Sequence, residues 1–179
     1  MMKPQEIIEK YYPVDGETYR ILVQHSESVA QKALALAAKH PELEIDTNFV
    51  YEAAMLHDIG ILHTKAPEIG CNGTEPYVCH GYLGAAMLFR EKMPKHALVC
   101  ERHTGTGISF EEIQQRNLPL PLRNMKPISI EEQLICFADK FYTKTTLDVE
   151  LTIEEIEAKL IKRNPQSVEQ FRYWCDLFL

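Results

Sequence analysis

The sequence predicts an all-α fold, a single-domain helical bundle, on three observations. No stretch of useful length alternates apolar and polar residues with the period of two that a half-buried strand requires. Three segments, SFEE at Ser109 to Glu112, SIEE at Ser129 to Glu132 and TIEE at Thr152 to Glu155, place a hydroxyl three positions ahead of a carboxylate, the signature of a helix start. The run from Glu17 to Lys39 keeps helical composition throughout and stops only at His40-Pro41.

Taken in order, PQEIIEKYY opens with a proline suited to a first helical turn. The long helix 17–39 follows. Asp46 or Thr47 can cap the next helix, which carries FVYEAAMLHD and ends at Gly60, a candidate C-terminal cap. Residues 64–79 are punctuated by Gly and Pro and read as a loop. HGYLGAAMLFREKM is helical again, then a helix runs from about Lys95 to His103, and Ser109 opens a short one. Pro119, Pro121 and Pro127 exclude a helix from the stretch 117–127. Ser129 opens QLICFADKFYTKT, and Thr152 opens IEAKLIKR. The tail SVEQFRYWCDLFL is amphipathic, and its Phe171, Tyr173, Trp174 and Phe178 suit a core or a dimer contact.

With 179 residues the chain is long enough to bury a sizeable core as one domain. It carries 19 basic against 26 acidic residues, a net charge of −7, which argues against a nucleic-acid polymer as partner because such surfaces are basic. The 5 cysteines are irregularly spaced without a C-x-x-C pair, so free thiols in a reducing cytoplasm are expected. Acidic residues stand where a signal peptide would have its apolar run, and the longest aliphatic stretch, ALALAA, is too short to span a bilayer. A soluble, cytoplasmic protein without a membrane partner is the expectation.

The chemistry is carried by YEAAMLHDIG, where an apolar helix runs out into adjacent His57 and Asp58. A buried imidazole and a buried carboxylate must be paired, hydrogen-bonded or bound to a cation. Helix by helix, the chain adds His25, His80, His103 and Asp139. Ligands so dispersed do not suit a locally folded zinc finger; they suit a bundle whose core-facing side chains converge on metal. Four imidazoles and two carboxylates favour iron or manganese, with zinc, nickel, magnesium or cobalt as further candidates. Six side chains exceed the need of one ion with an open position, and Asp58, in the middle of the set, is the natural bridge between two divalent ions.

These motifs resemble the HD-domain metal-dependent phosphohydrolase superfamily, with HDIG as its doublet. The stretch from HDIG through HGYLGAAM and ERHTGTGIS to FADK is similar to bacterial HD hydrolases of diadenosine tetraphosphate. Its RHTGTGISFEE…LPLP segment is closer to small archaeal and bacterial HD proteins of unassigned substrate. The resemblance covers about residues 20–145, leaving 146–179 as a helical extension of the same domain. It implies His25, His57, Asp58 and Asp139 around one ion, and Asp58, His80 and His103 around a second, with His57 and Asp58 the pair on which catalysis depends. Two departures weigh against a diadenosine substrate: Ile61 stands where some members have a basic residue. Thr145 stands where the diadenosine-type enzymes have an arginine, with Lys144 one short.

The expected activity is hydrolysis of a small phosphate ester or anhydride, a nucleotide foremost, by metal-activated hydroxide. The alternative is a non-hydrolytic HD-fold metal protein, either a di-iron oxygenase or a ligand-binding regulatory module. Lys65, Arg102, Lys140 and Lys144 are the basic candidates for substrate contact. The loop 64–79 and the proline-rich stretch 118–127 are candidates to roof the site. His40 reads as a helix cap, His96 as a supporting or surface residue, and His63 as a loop histidine that substrate could meet. A homodimer is compatible with the aromatic tail.

Overall fold

The computed structural model describes residues 3–179. Nine α-helices and one minute hairpin are found among them: α1 Pro4–Tyr11, α2 Glu17–Lys39, α3 Thr47–Leu56, α4 His80–Arg90, α5 Pro94–Arg102, α6 Phe110–Gln115, α7 Ile130–Asp139, α8 Ile153–Arg163 and α9 Gln166–Phe178. The all-α expectation holds, and the long second helix has the bounds its sequence gives. Between α3 and α4 the chain makes single 3-10 turns and two short strands, β1 Lys65–Ala66 and β2 Cys71–Asn72, paired antiparallel with Lys65 opposite Asn72. No helix among the described residues is long and apolar enough to cross a membrane.

The helix starts follow from local chemistry. Asp46 accepts from Phe49 N at 3.0 Å, and Ser109, Ser129 and Thr152 each accept from the backbone N–H three residues on. Of these four, Thr152 alone completes a reciprocal box, because Glu155 accepts back from Thr152 N at 2.8 Å. Glu112 instead binds Arg116 and Asn164, and Glu132 binds Arg102 and the Ile128 N–H. Long-range partners therefore win over the local cap at two of the three motifs.

Helices α2, α3, α5 and α7 pack around one core, and α4 lies along α5. Tyr12, just past α1, fixes the chain beyond α3 by donating to Ile59 O at 2.6 Å and accepting from Leu62 N at 3.1 Å. The α8–α9 pair folds back on α7. Phe137 of α7 meets the rings of Phe171, Trp174 and Phe178 at centroid separations of 5.3, 6.4 and 5.6 Å, and all four side chains are buried. Trp174 Nε1 also donates to Gln133 Oε1. Three of the four tail aromatics are thus core, while Tyr173 is exposed. All 5 cysteines are free thiols, and four of them are buried.

Trp174→Ala should cost about 3–5 kcal/mol, the usual price of emptying a fully buried indole site, whereas Tyr173→Ala should stay within about 0.5 kcal/mol. Urea unfolding of the two variants would separate them; equal midpoints would mean that α9 is not part of the cooperative core.

Candidate metal centre

Each of the six candidate ligands sits at a place that a helix or its end determines. His25 projects from the core-facing side of α2 together with Leu22 and Val29, one turn away on either side. His57, the residue that follows α3, still has helical dihedrals, while Asp58 turns away at φ −107°, ψ 10°. That break brings two adjacent side chains together, with His57 Nε2 3.0 Å from Asp58 Oδ2; within a helix they would point about 100° apart. His80 opens α4, His103 follows the last residue of α5, and Asp139 closes α7.

The six converge in two groups that share Asp58. Its Oδ2 lies 3.2 Å from His25 Nε2 and 3.0 Å from His57 Nε2, and its Oδ1 lies 3.3 Å from both His80 Nε2 and His103 Nε2. Asp139 Oδ1 stands 3.0 Å from His25 Nε2 and 3.4 Å from His57 Nε2. Within each group, His25–His57–Asp58–Asp139 and Asp58–His80–His103, the ligand atoms lie within 4.8 Å of one another.

These contacts lack hydrogen-bond geometry at the atoms that matter most. Both oxygens of Asp58 and Nε2 of His57 are buried without a hydrogen-bond partner. Lys144 offsets the charge at Oδ2 alone, and a buried carboxylate so placed is costly unless a further cation receives its remaining lone pairs. Three imidazoles are pre-set for such a cation, since Nδ1 of His57, His80 and His103 donates to the carbonyls of Ala54, Tyr77 and Cys100 at 2.6, 2.6 and 2.7 Å. Each bond fixes the tautomer that leaves Nε2 free to ligate. The residues present therefore fit divalent metal, and the donor mix of nitrogen and carboxylate oxygen suits first-row ions.

The electrostatics separate the two groups. Burial disfavours a charged His57, but Asp58 and Asp139 outweigh it and raise its pKa to about 9. Burial and the neighbouring His103 push His80 down to about 3, and burial also lowers His103. Burial would raise the two carboxylates, yet His57 and Lys144 at Asp58, and Lys140 at Asp139, hold both well below the usual range.

A cleft opens from this centre as two adjoining cavities of about 400 and 440 Å³, both bordered by Tyr77, Asp139, Lys140, Lys144 and Arg163. Lys144 Nζ lies 2.5 Å from Asp58 Oδ2, and Lys140 Nζ lies 2.7 Å from Asp139 Oδ2. The other two basic candidates are elsewhere. Arg102, one residue before His103 and so turned away from it, holds Glu132 at 2.9 Å, and Lys65 stands exposed in β1. His96 pairs with Glu52 at 3.2 Å against Phe49, and His40 pairs with Glu42 at 3.0 Å. His63 borders neither cavity.

The loop 64–79 reaches the cleft through Tyr77, whose ring lies 4.7 Å from that of His80, and through Glu68 and Ile69; the proline-rich stretch contributes Leu118. Tyr77, Arg116 and Arg163 border the cleft without having been singled out in the sequence. Only Tyr77 carries a local signal, standing three residues before His80 as the carbonyl that orients it.

Gly60 is not a left-handed cap, since it is absent from the positive-φ glycines. Its need is close approach: a Cβ there would stand 2.1 Å from His80 O and 2.4 Å from Gly84 N. The backbone after the His57-Asp58 doublet thus lies directly on the first turns of α4.

The model of the HD domain family matches residues 22–144. The chain belongs to the HD domain family. An uncharacterised protein of Methanocaldococcus jannaschii is 36% identical over 152 residues, covering 80% of this chain and 80% of that protein. A protein of Thermoplasma volcanium named tRNA (cytidine(56)-2'-O)-methyltransferase is 33% identical over 77% of this chain but only 36% of its own length. Its namesake from Picrophilus torridus is 30% identical over 87% of this chain and 43% of its own length. The chain spans less than half of these two relatives. No solved structure matches it.

Two outcomes are expected. Since ligation needs neutral imidazole, manganese binding at the first group should displace the His57 proton, and affinity should rise roughly tenfold per pH unit until it levels near pH 9. In the metal-free chain the same proton stabilises the fold at neutral pH, and that contribution is lost as pH rises through about 9. Calorimetry in buffers of different ionisation heat reads the released proton; no release at pH 7.5 would contradict a charged His57.

If each group holds an ion, the double change His80→Ala, His103→Ala removes one of two, because His25, His57, Asp58 and Asp139 remain to hold the other. Metal analysis of the reconstituted protein checks this, and an unchanged stoichiometry would make both histidines structural.

Proposed function

We propose that this chain is a metal-dependent hydrolase of small phosphate esters or anhydrides, with nucleotides as the foremost substrates and two divalent ions as cofactor. The observation that carries the reading is the buried Asp58 carboxylate, each of whose oxygens faces a separate pair of imidazoles. Bound there, two ions would acidify a water and neutralise phosphoryl oxygens, the division of labour suited to in-line displacement at phosphorus.

The chain's own groups prepare the rest. The Nδ1–H bonds of His57, His80 and His103 keep three imidazoles in one tautomer and one orientation, so no reorganisation is required on substrate binding. Burial disfavours the Lys144 ammonium, but Asp58, Tyr77 and Asp139 outweigh it and hold the group charged above its ordinary range. A cation so held stabilises charge developing on a phosphoryl oxygen and does not serve as a proton donor. Lys140, bonded to Asp139 and to the His103 carbonyl, steadies the opposite wall. Tyr77, though 38% exposed as a whole, keeps its hydroxyl proton at neutral pH, with its pKa raised by partial shielding of the phenol and by Asp58, and can donate that proton to a substrate oxygen.

The net charge of −7 and cavities of about 400 Å³ favour a small phosphorylated molecule over a polymer. Two relatives are named for a tRNA methyltransferase, so tRNA belongs among the compounds tested.

Phosphate release should be seen with nucleoside phosphates or other small phosphate esters and be nearly absent with oligonucleotides and tRNA. Asp58→Ala should reduce the rate to background and lower metal content while the chain stays folded. Lys144→Ala should cost about 100-fold in kcat, the scale of one lost charge-stabilising donor, with metal retained. Cleavage of tRNA with small phosphates untouched, or full activity in Asp58→Ala, would sink the reading.

A further inference from the structure

Two cations at the cleft, Lys159 and Arg163, come from beyond the family-matched residues, which end at 144, and of these only Arg163 borders both cavities. It is the last residue of α8, and α8 is held in place by packing on α9, itself stacked on α7. Its guanidinium lies against the bare backbone of Gly105, two residues after the ligand His103. A Cβ at position 105 would stand 3.1 Å from both Cζ and Nη1 of Arg163, and the φ of 65° there also favours glycine. Position 105 thus serves as a seat for the guanidinium plane.

The half-buried Arg163 differs from the other arginines around it. Arg102, Arg116, Arg123 and Arg172 each hold a glutamate, and Arg20 and Arg90 are exposed, whereas Arg163 is half-buried and among the described residues its guanidinium has no ion pair and no hydrogen bond. Lys140 and Lys144 are bound to Asp139 and Asp58, so they belong to the metal centre. Arg116, tied to Glu112, borders the same cavity as Arg163. The Glu112 carboxylate that holds Arg116 also offsets the charge of Arg163, but no ion pair or hydrogen bond engages the Arg163 guanidinium, whose planar fork of donors is left for an oxyanion.

We propose that Arg163, seated on Gly105 and assisted by Arg116, forms a second oxyanion subsite that selects small substrates bearing two anionic groups. The reacting phosphoryl group lies at Asp58 and Lys144, and the second group, a phosphate or a carboxylate, lies in the fork of Arg163. The placement of the reacting group rests on the hydrolase reading above; the subsite itself rests on the guanidinium and its seat. Specificity thereby comes from the C-terminal extension and not from the ligand-bearing bundle.

Kinetics on matched pairs test this: a nucleoside 5'-monophosphate against the 3',5'-bisphosphate, and glycerol phosphate against phosphoglycerate. Arg163→Gln should raise KM for the doubly anionic member of a pair roughly 10- to 100-fold, leaving kcat and the singly anionic member within about twofold. Whichever pair shows the loss identifies the second group as phosphate or carboxylate. Arg163→Lys should recover only part of the loss, because an ammonium cannot reproduce the fork. Arg116→Gln, on an exposed helix end, should give a smaller rise in KM in the same direction and keeps the test open if Arg163→Gln folds poorly. An equal effect on both members of each pair, or none, overturns the proposal. Calorimetric binding of the same four compounds to the manganese-loaded protein separates the two readings. If nothing is hydrolysed, the hydrolase reading fails, while a selective loss of affinity for a doubly anionic compound in Arg163→Gln still upholds the subsite. Unchanged affinities would end it.

Discussion

One carboxylate, fully buried and with no hydrogen bond to either oxygen, is the constraint around which this chain is arranged. Removing Asp58 from water is unfavourable on its own. Four imidazoles and a lysine ammonium compensate, the second carboxylate, Asp139, being offset in turn by Lys140, and these groups must arrive from different parts of the bundle. That requirement accounts for where the helices stop. α3 breaks at Asp58 so that neighbouring side chains converge, α4 begins at His80, α5 ends before His103 and α7 ends at Asp139. It also accounts for Tyr12, whose hydroxyl closes on the backbone just beyond the doublet from both its donor and its acceptor side.

Much of this could be read from the residues because the relevant signals are local. A proline stops α2, hydroxyl caps start three helices and a carboxylate a fourth, and ligand-type residues stand at helix ends where an apolar sequence makes burial plain. What could not be read depends on direction in space. Arg102 adjoins a ligand in sequence, yet the helix turns it toward Glu132; Lys65 is close to the doublet in number but sits in a strand facing outward. Arg163 at the end of α8 looks in the sequence like an ordinary complement to the helix dipole, and only the packing of α8 and α9 brings it to Gly105. Gly60 was legible as punctuation and not as a contact, since close approach leaves no trace in a single sequence. The half-formed caps at Ser109 and Ser129 have the same origin: tertiary partners took the carboxylates that a local box would use.

The charge pattern is compatible with the anionic substrate proposed for this acidic chain. The surface as a whole repels polyanions, while Lys140, Lys144, Arg116 and Arg163 gather at one opening. On the proposed reading a small phosphate meets these groups at short range, where the low dielectric of the cleft strengthens them.

The contact between Gly60 and the start of α4 has a wider consequence. His57 and Asp58 belong to one side of that contact and His80 to the other, so the two ligand groups are registered by backbone resting on backbone. Gly84, one turn further along α4, extends the same seam, and a Cβ there would stand 2.8 Å from Gly60 N and 2.5 Å from Cys100 Sγ. A seam without side chains has no rotamers through which to relax. Substitutions in the surrounding core can loosen or tighten the bundle, but they have little purchase on the spacing of the two groups. The gauge of the centre is therefore set by the chain's own thickness, and two glycines are what keep it there.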